Sequence, residues 1–233
     1  MTPRVLVTAL FGLALAAASP VWAADSRLDA QLDELSRAWA HVNYEISDPR
    51  AEMAAAQKLE ADAGALARQN PGRAEPLAWE ALALLSEADA RHNFSSLQLV
   101  GSAKRLLEQA ARIDPNAIGP GVIYANLGSL YAQVPGFPLS FGDKAKARVY
   151  FEKALAANPD GLDANYFYGD FLYRQGLASK AVQALEKALA APLRAGRALA
   201  DRGRKWEASQ LLAQIQQKEK LSDASDDWHR KPA

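Results

Sequence analysis

An all-α chain is predicted, built as a right-handed α-solenoid of stacked helix-turn-helix repeats with a C-terminal capping helix, and three observations predict it. Ala147, Phe151 and Ala154 return one 34-residue step later as Ala181, Leu185 and Ala188, on runs that both end in EKAL. The same set stands 44 residues earlier as Ala103, Leu107, Ala110 and Pro115, ahead of Ala147, Phe151, Ala154 and Pro159. Composition agrees: Ala and Leu dominate, 23% of residues are charged, and no run alternates with period two over a length that would build a sheet. A pair of antiparallel helices cannot bury its apolar face alone, so a period of this size implies units stacked on like neighbours.

The elements follow in chain order. Residues 1–23 read as a signal peptide. Arg4 supplies a positive start, Val5–Ala18 is apolar but too short for a stable membrane span, and Val21-Trp22-Ala23 ends in a small-x-small site. Cleavage after Ala23 is expected, giving a periplasmic or secreted protein. The absence of cysteine excludes a lipid-modified N-terminus and any disulfide framework. The repeat domain then covers 24–221. It opens with a degenerate unit at about 35–71, where Trp39, Leu59 and Pro71 mark the pattern. Three repeats follow at about 76–115, 120–159 and 162–192, and a capping helix at about 199–219. There, Trp206, Leu211, Leu212 and Ile215 are expected to cover the open end. Residues 222–233 are polar and expected to be a disordered tail.

The first helices of the repeats carry a second set of marks: Trp79 with Leu82, then Tyr124, Leu127, Gly128 and Tyr131, then Gly169 with Leu172. Taken with the Ala, Phe, Ala and Pro positions of the second helices, the pattern resembles the tetratricopeptide repeat, whose signature is a bulky residue, a Leu-Gly step, a Tyr, then Ala, Phe, Ala and a closing Pro. The resemblance implies a concave face lined by the first helix of each repeat, on which partners bind. On that face the last unit offers Asp163, Tyr166, Asp170 and Tyr173, spaced by three or four residues and so aligned along one stripe. Two tyrosines with two carboxylates suit a basic or amphipathic peptide. The alternative, in which the rings pack against the following helix and the aspartates are solvated, stays open at this point. Some family members grip a peptide carboxylate with a lysine-and-asparagine clamp. Here Asn126 is similar to that asparagine but the lysines are missing, so the clamp is not carried over.

Residues able to do chemistry are sparse. His41, His92 and His229 are isolated, with no metal-ligand spacing. Ser129 lies inside a predicted helix rather than at a strand-to-helix elbow. Asp226-Asp227 sits in the polar tail. Gly101-Ser102 and Gly142-Asp143 lack a phosphate-binding context and read as helix starts, with Ser102 and Asp143 as N-caps. No catalytic site, metal or cofactor is therefore expected. Removing Arg4 leaves 26 basic against 27 acidic side chains, so no global field favours nucleic acid or an anionic membrane, and no stable membrane insertion is expected after cleavage.

Two further surfaces stand out. Long connections are expected at Arg91–Gly101 and Val134–Asp143, on the same edge of the stack. The second holds Phe137 and Phe141, of which one ring is expected to fold back on the solenoid and the other to join a binding patch. Arg194, Arg197, Arg202, Arg204 and Lys205, with Asp201, form the one basic cluster, either a solvated approach to the cap or a site for an anionic partner. The expected function is a non-catalytic periplasmic module that holds a protein or peptide partner in its groove within an envelope assembly. The alternative is a small-ligand carrier resembling the T component of TRAP transporters. A closed apolar cavity under Phe137 and Phe141 would mark the carrier, and an open polar groove the module.

Overall fold

The computed structural model describes residues 21–91 and 96–230. Within them run α1 (Val21–Tyr44), α2 (Pro49–Gln69), α3 (Ala74–Arg91), α4 (Ser96–Ile113), α5 (Val122–Gln133), α6 (Lys144–Ala157), α7 (Leu162–Arg174), α8 (Ala178–Ala190) and α9 (Ala198–Arg230). No strand occurs among the described residues, and the one isolated bridge, Gly136 with Gly142, lies inside a loop. The expected cleavage point falls within α1, and the rest of the predicted signal peptide, residues 1–20, lies outside the described residues. The last helix runs on to Arg230, past the predicted boundary of the tail at residue 222. No described helix is long and apolar enough to cross a membrane.

Consecutive helices pair as α1 with α2, α3 with α4, α5 with α6 and α7 with α8, and the pairs stack into an all-α helical-repeat solenoid. The repeated positions are its core. Ala103, Leu107, Ala110, Ala147, Phe151, Ala154, Ala181, Leu185 and Ala188 all have 0% exposure. In the last two repeats a glycine of the first helix admits the large residue of the second. A Cβ on Gly128 would lie 2.8 Å from the Phe151 ring, and one on Gly169 would lie 2.9 Å from Leu185. Phe151 continues the apolar line into the next unit, its ring 5.3 Å from that of Phe171. The degenerate first unit is joined in the same way, with Trp39 edge-on to Trp79 at 6.5 Å.

Helix starts follow capping chemistry. Asp48 accepts from the Ala51 amide and precedes Pro49 at the first helical position. Asp143 accepts from the amides of Ala145 and Lys146, as its sequence position predicts. Ser102 does not cap. The fourth helix begins at Ser96, so Gly101 and Ser102 are interior, and the long connection expected from Arg91 to Gly101 shrinks to 92–95, which lie outside the described residues along with His92. The apolar spacing Val100, Ala103, Leu107, Ala110 carries the helix through Gly101, whose interior cost of about 1 kcal/mol is smaller than the burial it permits.

The ninth helix departs furthest from expectation. It covers α8, but it also crosses the concave side to pack against α7 and α1. Asp201, Ala208 and Ile215 face inward, and Leu211 and Leu212 are partly buried. Trp206, expected in the cap, is instead 64% exposed. It falls between the inward positions, on the far side of the helical wheel. Gly203 marks the tightest approach, since a Cβ there would collide with the Tyr44 ring at the end of α1.

Candidate partner-binding cleft

The stripe expected on the last unit is not open, because α9 lies along it. Asp163 is buried, with Arg194 Nη2 2.9 Å from its Oδ2 and Arg204 Nε 3.3 Å from its Oδ1. The approach of Arg194 is an ion contact without hydrogen-bond alignment. Burial alone would raise the Asp163 carboxyl, but the attraction of Arg194, Arg204 and Arg197 outweighs it and holds the pKa below the ordinary value. Tyr166 is half-buried beneath the Arg204 guanidinium, 4.8 Å from its ring. Burial first, then the nearby Glu207 carboxylate, pushes its hydroxyl up to about 12. Lys218 stands 5.8 Å over Tyr173. Asp170 is the stripe member that keeps contact with the open groove, pairing with Arg174 Nε at 2.8 Å and meeting Gln133 Nε2 at 3.5 Å.

The basic cluster is what holds α9 in place. Arg194 donates to Asp201 through its backbone amide at 2.6 Å and through Nη2 at 2.5 Å. Arg197 lies 5.4 Å over the Trp79 ring and reaches the Ile118 carbonyl, and burial lowers its pKa. Arg204 also pairs with Glu207, and Lys205 donates to the Leu189 carbonyl at 2.8 Å. Of the five cations, only Arg202 is exposed. A run that looks like a solvated or anion-seeking patch in the sequence is spent on internal carboxylates, rings and carbonyls.

Beside α9, whose Arg204 and Glu207 form part of its wall, the concave side keeps a cleft of about 320 Å³ between α1, α3, α5 and α7. Asn126, marked in the sequence, lines it, with its amide nitrogen donating to the Val122 carbonyl at 2.9 Å. Arg204 and Glu207 of α9 and Asp89 of α3 add charged groups, and further polar lining comes from residues that carry no such mark in the sequence. Asn43 donates to Ser86 Oγ at 2.9 Å, tying α1 to α3, and Gln133 donates to Ser129 Oγ at 2.9 Å. The signal that would have found Asn43 and Ser86 is the recognition of α1 as a full inner helix packed on α3. Val134 and Pro135, at the start of the α5–α6 loop, close one end of the cleft.

That loop splits its two rings. Phe141 folds back, edge-on to Tyr131 at 5.4 Å, with Lys104 Nζ 5.4 Å from its ring. Phe137 stands exposed at the tip. Neither ring lines the cleft. No cluster of three or more His, Asp or Glu residues suited to a metal occurs among the described residues.

These helices form a helical-repeat protein with a polar cleft on its inner face. Residues 139–192 match the family model of the tetratricopeptide repeat. Two solved structures are similar. A thermophilic TPR protein of Thermus thermophilus is 20% identical, with a TM-score of 0.49 over 82% of this chain and 94% of that one. MamA is 19% identical, with a TM-score of 0.40 over 77% of this chain and 98% of that one. None of the curated proteins compared matches the sequence.

Proposed function

We propose that the protein is a non-catalytic periplasmic interaction module that holds a segment of a protein partner in its concave cleft, within an assembly of the cell envelope. The observation that carries the reading is the lining of the cleft: Asn43, Ser86, Asn126, Ser129 and Gln133 present amides and hydroxyls from three successive inner helices. An extended peptide, with a donor and an acceptor on every residue, is the chemistry that such a row satisfies. The lining favours a peptide over an apolar small molecule, and the cleft lies beside Phe137 and Phe141 rather than beneath them. The periplasmic part of the proposal rests on the Val21-Trp22-Ala23 ending.

Asn126→Ala with Gln133→Ala tests the cleft. Two hydrogen bonds of about 1 kcal/mol each predict at least a tenfold loss in retention of proteins captured from the periplasmic fraction, read by quantitative mass spectrometry, with the melting temperature little changed. Retention of the same proteins at the same level would refute the cleft as the binding site. Intact mass of the exported protein checks the location, with a chain beginning at Ala24 expected.

A further inference from the structure

The α5–α6 loop is a rigid projection with an apolar tip. Gly142 N donates to the Pro135 carbonyl at 2.9 Å, Leu139 N to the Gly136 carbonyl at 3.1 Å, and Asp143 N to the Tyr131 carbonyl at 2.8 Å. The two arms of the loop touch so closely that a Cβ on Gly142 would collide with the Val134 carbonyl oxygen. Phe141 anchors the inner side against Tyr131. What this frame holds outward is Phe137 at 94% exposure and Leu139 at 77%. Because the backbone is already fixed, presenting these side chains to a partner costs little further ordering.

The surroundings of the tip are cationic. The first two turns of α6 carry Lys144, Lys146 and Arg148 with no acid, and the Lys146 side chain is 62% exposed despite its contact with Asp143. Cations at a helix N-terminus oppose the helix dipole, so the helix itself does not account for them. The α7–α8 turn lies on the same edge, since Arg148 reaches back to within 5.9 Å of the Phe171 ring near the end of α7. That turn adds exposed Leu177 and Lys180, and the chain from Phe171 to Leu185 contains no Asp or Glu. On the opposite edge the turns carry exposed Asp114 and Asp160, and on the first repeat the near edge carries exposed Glu45 and Asp48. Among the described residues, the combination of apolar tip and positive field is therefore confined to one corner, formed by the last two repeats.

We propose that this corner docks on the surface of an anionic lipid bilayer, with Phe137 and Leu139 entering the boundary between headgroups and acyl chains and Lys144, Lys146 and Lys180 meeting the headgroups. Size decides between a membrane and a protein as the occupant. Three apolar side chains on narrow loops fall far short of the roughly 800 Å² per partner that a stable protein interface buries. A bilayer needs only a few inserted side chains with nearby lysines, and the resulting binding is reversible. The surface is separate from the cleft, so the docked protein keeps its groove available.

The test is co-sedimentation of the purified protein with vesicles of phosphatidylcholine and phosphatidylglycerol in equal parts, against vesicles of phosphatidylcholine alone. The expected result is binding to the mixed vesicles that weakens on adding salt and falls at least tenfold in Phe137→Ser with Leu139→Ser, and likewise in Lys144→Glu with Lys146→Glu. All four side chains are solvent-exposed, so the circular dichroism melts should match the parent. Phe137→Ser alone, expected to weaken binding about fivefold, serves should the double variant misfold. Three results would each overturn the proposal: no binding by the parent, equal binding to both vesicle types, or binding unchanged by the tip substitutions.

Discussion

Phe151→Ala should lower the stability of the protein by about 3–5 kcal/mol, read from thermal or urea unfolding followed by circular dichroism. The ring has 0% exposure and fills the gap left by Gly128, and it touches Phe171 and Tyr168 of the following unit at centroid distances of 5.3 and 5.7 Å. Its loss opens a cavity where two repeats meet, and the packed glycine opposite cannot move in to fill it. Leu185, which meets Gly169 in the same way one unit later, should show a smaller loss in proportion to its smaller volume. Melts of both variants that matched the parent would show that these residues do not hold neighbouring repeats together.

Asp201→Ala should cost a similar amount, about 3–5 kcal/mol, because it strips a carboxylate from a buried ion cluster and leaves cations behind. Asp201 has 0% exposure and takes both the backbone amide and the guanidinium of Arg194. Removing it leaves Asp163 to face Arg194 and Arg204 alone. The cluster also sets a pH dependence through Asp163. Its folded pKa is depressed below the ordinary 3.8, so its contribution is complete above that value and is lost as pH falls through the folded value. Melting temperature followed downward from pH 6 should fall through this acid range, and the fall should be shallower in Asp163→Asn. An Asp201→Ala variant as stable as the parent would mean that Arg194 finds solvent instead.

The stacked helices can be read in the sequence because a repeat states its core positions several times over. Nine positions marked only by their spacing are all fully buried, and Asp143 caps as its place before a helix requires. The path of α9 cannot be read in this way. Its inward residues, Asp201, Arg204, Ala208 and Ile215, mix charge with small and apolar groups, and no neighbouring unit repeats them. The helix is placed by long-range ion pairs with Asp163, a residue that on its own helix looks like part of an open stripe. The same blindness explains Trp206, where the size of the ring suggests burial although its place on the helical wheel faces solvent. For the cleft, Asn126 is legible from family resemblance, whereas Asn43 and Ser86 act only because α1 and α3 meet.

The contact of α9 with α1 changes the kind of object this chain is. A linear stack has two loose ends, and its outermost units fray independently because each has only one neighbour. Here the last helix rests against the first, with Gly203 on Tyr44, and Arg197 just ahead of that helix lies over Trp79 of α3, so the structure closes on itself like a clasped bracelet. Every unit then has neighbours on both sides, and no terminal repeat can unravel until the clasp opens. The clasp itself is the packing of Gly203 on the Tyr44 ring, so a side chain placed at position 203 is the change suited to unfasten it.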